Sequence, residues 1–327
     1  MNTFWPVYQR LEREVLDLAK YILFDDKQLK TYSPYMGELI IRCAIEIEAL
    51  SKELYSLLGG AMMITDPATG ETRPPYFDTE CLNLLANTWH LNTKKIQIVS
   101  PIMIFSPQNS VLTPLHKAHK RGTSGSKWKQ AYQNIKHDRA NSTNKGTIEN
   151  LINALGALYI LNLYFRDDVF WSETPIRDRR EYSANSEIFN PFICDATHIT
   201  MSTKMGDQYN NPIPELTLNE SIYIEKISDQ AFEDIHKAFC ENELHLRNAI
   251  KESPDYVSYL GQHPEDKSLP LAEIAQRIKF DIIGFQINDL SIARAVRLIR
   301  NKEIILNKHA PIYPTKTIGD YISSTQK

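Results

Sequence analysis

The stretch "LINALGALYILNLYF", Leu151 to Phe165, decides the fold. It is almost continuously apolar, so it either crosses a bilayer or lies at the centre of a protein core. A bilayer span needs roughly 20 apolar residues, and this run stops about five short of that. Asn153 and Asn162 interrupt it and Asn150 precedes it. A helix that is apolar all round and carries buried amides reads as the central helix of a bundle. Thr147 is its expected N-cap. No membrane association is expected.

The neighbouring segments have the amphipathic patterns that such a helix needs around it. "PYMGELIIRCAIEIEALSKELYSLLG", Pro34 to Gly59, places Leu39, Cys43, Ile47, Leu50 and Leu54 on one helical stripe. Pro34 precedes that helix, and Gly59 can close it. "VYQRLEREVLDLAKYILF" (Val7 to Phe24) and "TECLNLLANTWHL" (Thr79 to Leu91) predict two more helices. "KKIQIVSPIMIF" (Lys94 to Phe105) is the best strand, and Pro101 makes it an edge strand or two short pieces. "GAMMITDPATGETRPPYF" reads as a loop. Composition shifts near 172–190, the expected linker. Residues 185–225 read as short strands and loops. Helices return at 229–251 and through "PLAEIAQRIKFDIIGFQINDLSIARAVRLIRNKEIIL", Pro270 to Leu306. The expected fold is mainly α, with a helical domain over 1–171 and an α-rich accessory region with a little β structure over 172–327.

The bulk numbers fit an ordinary globular chain: 327 residues, 42% apolar and 24% charged. Its four cysteines, Cys43, Cys81, Cys194 and Cys240, form no CxxC pair, so free thiols and a cytoplasmic location are expected. The first 20 residues lack the apolar region of a signal peptide. Phosphate-loop, nucleophile-elbow, dinucleotide and HExxH motifs are all missing, and neither a cofactor nor a metal is expected. His116 and His119 read as an exposed loop pair, and His236 and His245 as helix-surface residues. Arg294, Arg297 and Arg300 read as a solvated helix face.

Net charge is −3, yet between His116 and Arg139 there are seven Lys or Arg and one acid, Asp138. This is a local basic patch opposite in sign to the whole chain. Within it lies "KWKQAYQNIKHDR", Lys127 to Arg139. As a helix it puts Trp128, Tyr132 and Ile135 on one apolar face, and Lys129, Gln133 and Lys136 on another side. Lys136, His137 and Arg139 can hold an anion, and His137 can exchange a proton near neutral pH. Glu38, Arg42 and Glu46 are spaced i, i+4, i+8 and predict an ion-pair ladder, repeated by Glu48 and Lys52. Arg42 and Glu46 abut the apolar stripe, and a partner helix bearing Lys136, His137 and Arg139 would neutralise the acids.

The order of an "RxxxExEALxKELY" helix, then "WxxAYxxIKHDR", then "NxxxALxALYIL" resembles a group of uncharacterised bacterial proteins with a Lys-His-x-Arg step. These in turn are distantly similar to the HEPN helical-bundle superfamily. The resemblance covers about residues 30–170. It implies a helical bundle and an RNA-directed function, first of all a metal-independent ribonuclease of a bacterial defence or toxin system. In that reading His137 is general acid or base, Arg139 and Lys136 stabilise the phosphorane, and Glu46 orients them. Glu48, Arg42, Lys129, Tyr132 and Arg121 are binding candidates. HEPN ribonucleases carry Arg followed four to six residues later by His, and no arginine here has a histidine at that spacing. The alternative is therefore a non-catalytic module that binds nucleic acid, a protein partner or a second copy of itself, with the Lys-His-x-Arg cluster as a structural ionic lock. Burial of His137 separates the two: an enzyme needs it in an open cleft, a lock needs it shielded and paired.

Overall fold

A computed structural model describes residues 3–65, 70–172, 186–197 and 215–310. Helices dominate. The first part holds α1 (Phe4–Ala19), α2 (Pro34–Leu57), α3 (Asn83–Trp89), α4 (Pro107–Ser110), α5 (Lys127–His137), α6 (Arg139–Ser142) and α7 (Ile148–Arg166). The second holds α8 (Glu215–Glu220), α9 (Asp229–Glu252), α10 (Pro254–Gln262), α11 (Leu271–Arg277), α12 (Ile282–Asn288) and α13 (Leu290–Leu298). A mainly helical chain is what the patterns predict. The linker expected at 172–190 falls largely outside the described residues.

The bundle is built around α7. Its length and composition would suit a bilayer, but 83% of its most apolar window is buried inside the protein. Thr147 caps it, accepting a hydrogen bond from the Asn150 amide at 3.2 Å. α2 packs against α7 and α5 along the expected stripe, with Leu39, Cys43, Ile47, Leu50 and Leu54 all buried. The chain leaves α2 through Gly59 in the left-handed region, at φ 77°. α5 buries Trp128, Tyr132 and Ile135, and the Trp128 indole donates to the Pro114 carbonyl at 2.8 Å.

Several local readings change. The 94–105 segment splits as Pro101 requires. Ile96–Ile98, however, is the middle strand of a three-stranded antiparallel sheet with Val111–Leu112 and Phe189–Pro191, rather than an edge. The helix expected over 79–91 begins with a π-helical turn, Phe77–Leu82, before α3. The end of the long C-terminal helical segment is a strand: β-branched Lys302–Leu306 lies between Phe170–Ser172 and Tyr223–Ile227, with Ile193–Asp195 beyond. His236 is not on the surface. It is buried, and its Nδ1 lies 2.8 Å from the Phe232 carbonyl oxygen.

The main core draws residues from both sides of position 171. Ile188, Phe189, Ile222, Tyr223, Ile304 and Leu306 belong to the same apolar cluster as α2 and α7. α9 to α13 form two smaller clusters of their own. Where the last strand ends, Asn307 ties it down: its carbonyl accepts the Tyr164 hydroxyl at 2.8 Å, and its amide donates to the Leu218 and Ser221 carbonyls. Two residues on, His309 stacks on His90 with ring centroids 4.0 Å apart, and its Nε2 lies 3.0 Å from the Nζ of fully buried Lys94. Burial pulls the Lys94 ammonium down to about 7. Burial, with Lys94 and His90 alongside, takes His309 down to about 4.

Candidate functional site

Lys129 organises the basic segment. Its spacing predicts a solvent-facing lysine, but the residue is 3% exposed. Its Nζ donates to the Ala118 carbonyl at 2.8 Å, to the Lys120 carbonyl, and to Asp78 Oδ2 at 3.2 Å. The 118–125 loop thereby closes over the ammonium group. A Cβ on Gly125 would come within 2.7 Å of the Lys120 carbonyl oxygen, so this close approach suits glycine. Burial pulls the Lys129 pKa down, and Asp78 pushes back. This is a buried ionic lock, and it lies at the N-terminal end of α5, two helical turns from the Lys-His-x-Arg step at the other end.

Asp78 comes from the π-helical turn. It also takes both ends of a fork from Arg121, with N–O distances of 3.0 to 3.2 Å. Burial raises its carboxyl pKa, but Arg121, the Thr79 amide and Lys129 outweigh that and hold it below the usual range. The Arg121 guanidinium lies over the Tyr76 ring, 4.1 Å from its centroid, and Arg73 lies 3.8 Å from the same centroid. Arg73 is fixed in turn by Glu80 at 2.9 Å. Two arginines and a tyrosine are thus held in place by two carboxylates before any ligand arrives.

These groups border a cleft of ≈ 480 Å³, lined by Glu48, Lys52, Pro75, Tyr76, Phe77, Asp78, Arg121, Gly122, Lys129 and Gln133. Glu48 and Lys52 come from α2, Phe77 and Asp78 from the π turn, and Lys129 and Gln133 from α5. Glu48 accepts the Tyr132 hydroxyl at 2.9 Å, and Lys136 Nζ donates to the same hydroxyl at 3.1 Å. Glu48 and Lys136 therefore meet through one phenol, whereas the patterns give Glu46 the part of orienting the cations.

The other predicted residues lie elsewhere. Arg42 forms no ladder with Glu38 and Glu46. It crosses to α1 and takes Glu14 through a fork, at 2.5 and 2.8 Å. The i, i+4 spacing could not reveal a carboxylate 28 residues away. Glu46 is half-buried, has no hydrogen-bond partner among the described residues, and does not line the cleft; burial raises its pKa. It orients none of Lys136, His137 and Arg139. His137 and Arg139 stand exposed where α5 ends, beyond the cleft's lining. Their side chains make no hydrogen bond or ion pair among the described residues, so His137 is neither in an open cleft nor in a lock. The basic patch is otherwise open: Lys117, Lys120 and Arg139 are exposed and form no ion pair among the described residues. Among the described residues no group of three His, Cys, Asp or Glu side chains could hold a metal ion.

Asp78, Tyr76 and Arg73 escaped the sequence reading, and Lys52 reads there only as an ion-pair partner of Glu48. The one available signal was the run of charged and aromatic residues, "ETRPPYFDTE", at the end of a segment taken as loop. Comparison with family models, with curated proteins and with solved structures finds no match for this chain.

Proposed function

We propose that this chain is an RNA-binding helical module, HEPN-like in build, that holds single-stranded RNA at the cleft and along the basic end of α5 without cutting it. The observation that carries the reading is the fixing of Arg121 and Tyr76 by Asp78 and Lys129 at the edge of a cationic cleft. Single strands are bound by positive grooves that follow the backbone and by planar groups on which bases stack. Lys52, Arg121, Lys136 and Arg139 supply the charge, and the Arg121–Tyr76 stack supplies the plane. Metal-independent cleavage needs an acid–base group within hydrogen-bond reach of the 2′-hydroxyl and cations around the same phosphate. His137 stands apart from the cleft, and Lys136 is turned towards Tyr132, so the geometry favours binding over cleavage.

Fluorescence anisotropy with a labelled 12-nucleotide single-stranded RNA, measured across a salt series, tests this. Affinity should fall with salt. Arg121→Ala and Arg139→Ala should each lower the slope of log K against log salt by about 0.7, the release expected for one single-strand phosphate contact. The absence of any complex tighter than about 10⁻⁴ M at low salt would overturn RNA binding. Scission of the RNA that disappears in His137→Ala would restore the ribonuclease reading.

A further inference from the structure

Glu48 stands at the wall of the cleft with one oxygen committed. Its Oε1 accepts the Tyr132 hydroxyl at 2.9 Å, while Oε2 takes no hydrogen bond among the described residues. Gln133, one residue further along α5 than Tyr132, lines the same cleft with its amide uncommitted. The Arg121 guanidinium lies over Tyr76 and is held flat by its fork to Asp78, so its outer face is the next layer of a stack already begun. Lys52 adds an exposed cation from α2. An acceptor-only group, a plane and a cation around ≈ 480 Å³ complement one nucleotide: an edge of N–H donors, a flat face and a phosphate.

We infer that the cleft receives one base turned out of a single-stranded RNA, and that Glu48 selects it, favouring guanine over cytosine and adenine and all three over uracil. The inference rests on the RNA-binding reading above. A carboxylate only accepts. Guanine offers it two adjacent donors, N1–H and the N2 amino group. Cytosine and adenine offer one amino group each. Uracil offers a single N–H flanked by two carbonyl oxygens that face the carboxylate with like charge. Bases in single-stranded RNA can be splayed out, stacked on aromatic or guanidinium planes, and read on this edge. Glu48 acts here as a specificity residue and has no part in any bond-making step.

The test compares the whole protein's affinity for an all-uridine 12-mer and for the same 12-mer with one central guanosine. The guanosine should tighten binding on the order of tenfold, as one good base contact does. Glu48→Ala should remove that difference between the two RNAs. Tyr132→Phe, which keeps the carboxylate, should preserve it. The wild-type comparison needs no variant, so a Glu48→Ala protein that fails to melt cooperatively does not shield the idea. Equal binding of the two RNAs by wild type overturns base selection and leaves RNA binding standing. Failure of both RNAs to bind overturns both readings. Guanosine monophosphate should compete at least tenfold more weakly than the oligomer, because it lacks the phosphates that reach Lys136 and Arg139. Equal competition would assign the cleft to free nucleotides and overturn the strand-borne base.

Discussion

Asp78 is the residue on which the site's geometry depends. It is nearly buried, and it holds a buried lysine and a half-exposed arginine at once. Removing one member of a buried pair leaves the other charge uncompensated, at a cost of about 3–5 kcal/mol. Asp78→Ala should therefore lower stability by an amount in that range, measured by urea unfolding. Asp78→Leu combined with Lys129→Met should recover most of it, since an apolar pair leaves no orphan charge. If the double variant is as unstable as the single one, the lysine's hold on the 118 and 120 carbonyls matters more than its charge. His137→Ala should shift the unfolding midpoint hardly at all, by less than about 0.5 kcal/mol, because the exposed imidazole has no partner to lose among the described residues. A large loss would mean that His137 has a structural contact after all. The site was half legible for a physical reason. Arg121, Lys129 and Tyr132 stood out because like charges and aromatics cluster along one stretch of chain, and Glu48 because of its i, i+4 spacing to Lys52. Asp78 did not, because its partners are 43 and 51 residues away and no local period links them.

Among the elements, α2 and α7 were readable because burial of a helix writes its own period into the sequence. The stripe from Leu39 to Leu54 and the all-round burial of α7 are that writing. The strand Lys302–Leu306 was not readable, because a short β-branched run that follows α13 without a proline or glycine break continues the apolar pattern of a helix. The approach of the 146 turn to the start of α2 was equally silent. Ser33 donates its amide to the Gly146 carbonyl at 3.2 Å. A Cβ on Gly146 would lie 2.8 Å from the Ser33 carbonyl oxygen and from the Gly37 nitrogen. Backbone has to move to admit it. Gly146→Ala is expected to cost on the order of 1–3 kcal/mol, as overpacking does, and to increase amide exchange at the α2 N-terminus. A variant as stable as wild type would show that the turn can shift freely.

For the molecule as a whole, Lys94 and His309 set a dependence on pH. Folded Lys94 releases its proton near pH 7, whereas an unfolded lysine keeps it to about 10.4. Between those values the unfolded chain binds more protons, so raising the pH favours the folded state, by at most about 1.4 kcal/mol per pH unit for one group. His309 adds a second window in the same direction, from its ordinary value near 6.5 down to about 4. Thermal midpoints should climb from pH 7 to pH 9 in wild type, and the climb should flatten in Lys94→Met. An unchanged slope in the variant would rule Lys94 out as the source. The place of the last strand also bears on how the protein is made. Lys302–Leu306 forms the shared edge of Phe170–Ser172 and Tyr223–Ile227. On the ribosome, at about 5–20 residues per second, the 170 segment has to wait on the order of ten seconds for its neighbour to be synthesised. For that interval the nascent bundle carries an unpaired strand edge and lacks Ile304 and Leu306 from its core. A chaperone that recognises exposed edges would find its binding site there, and it would lose that site as soon as residue 306 left the exit tunnel.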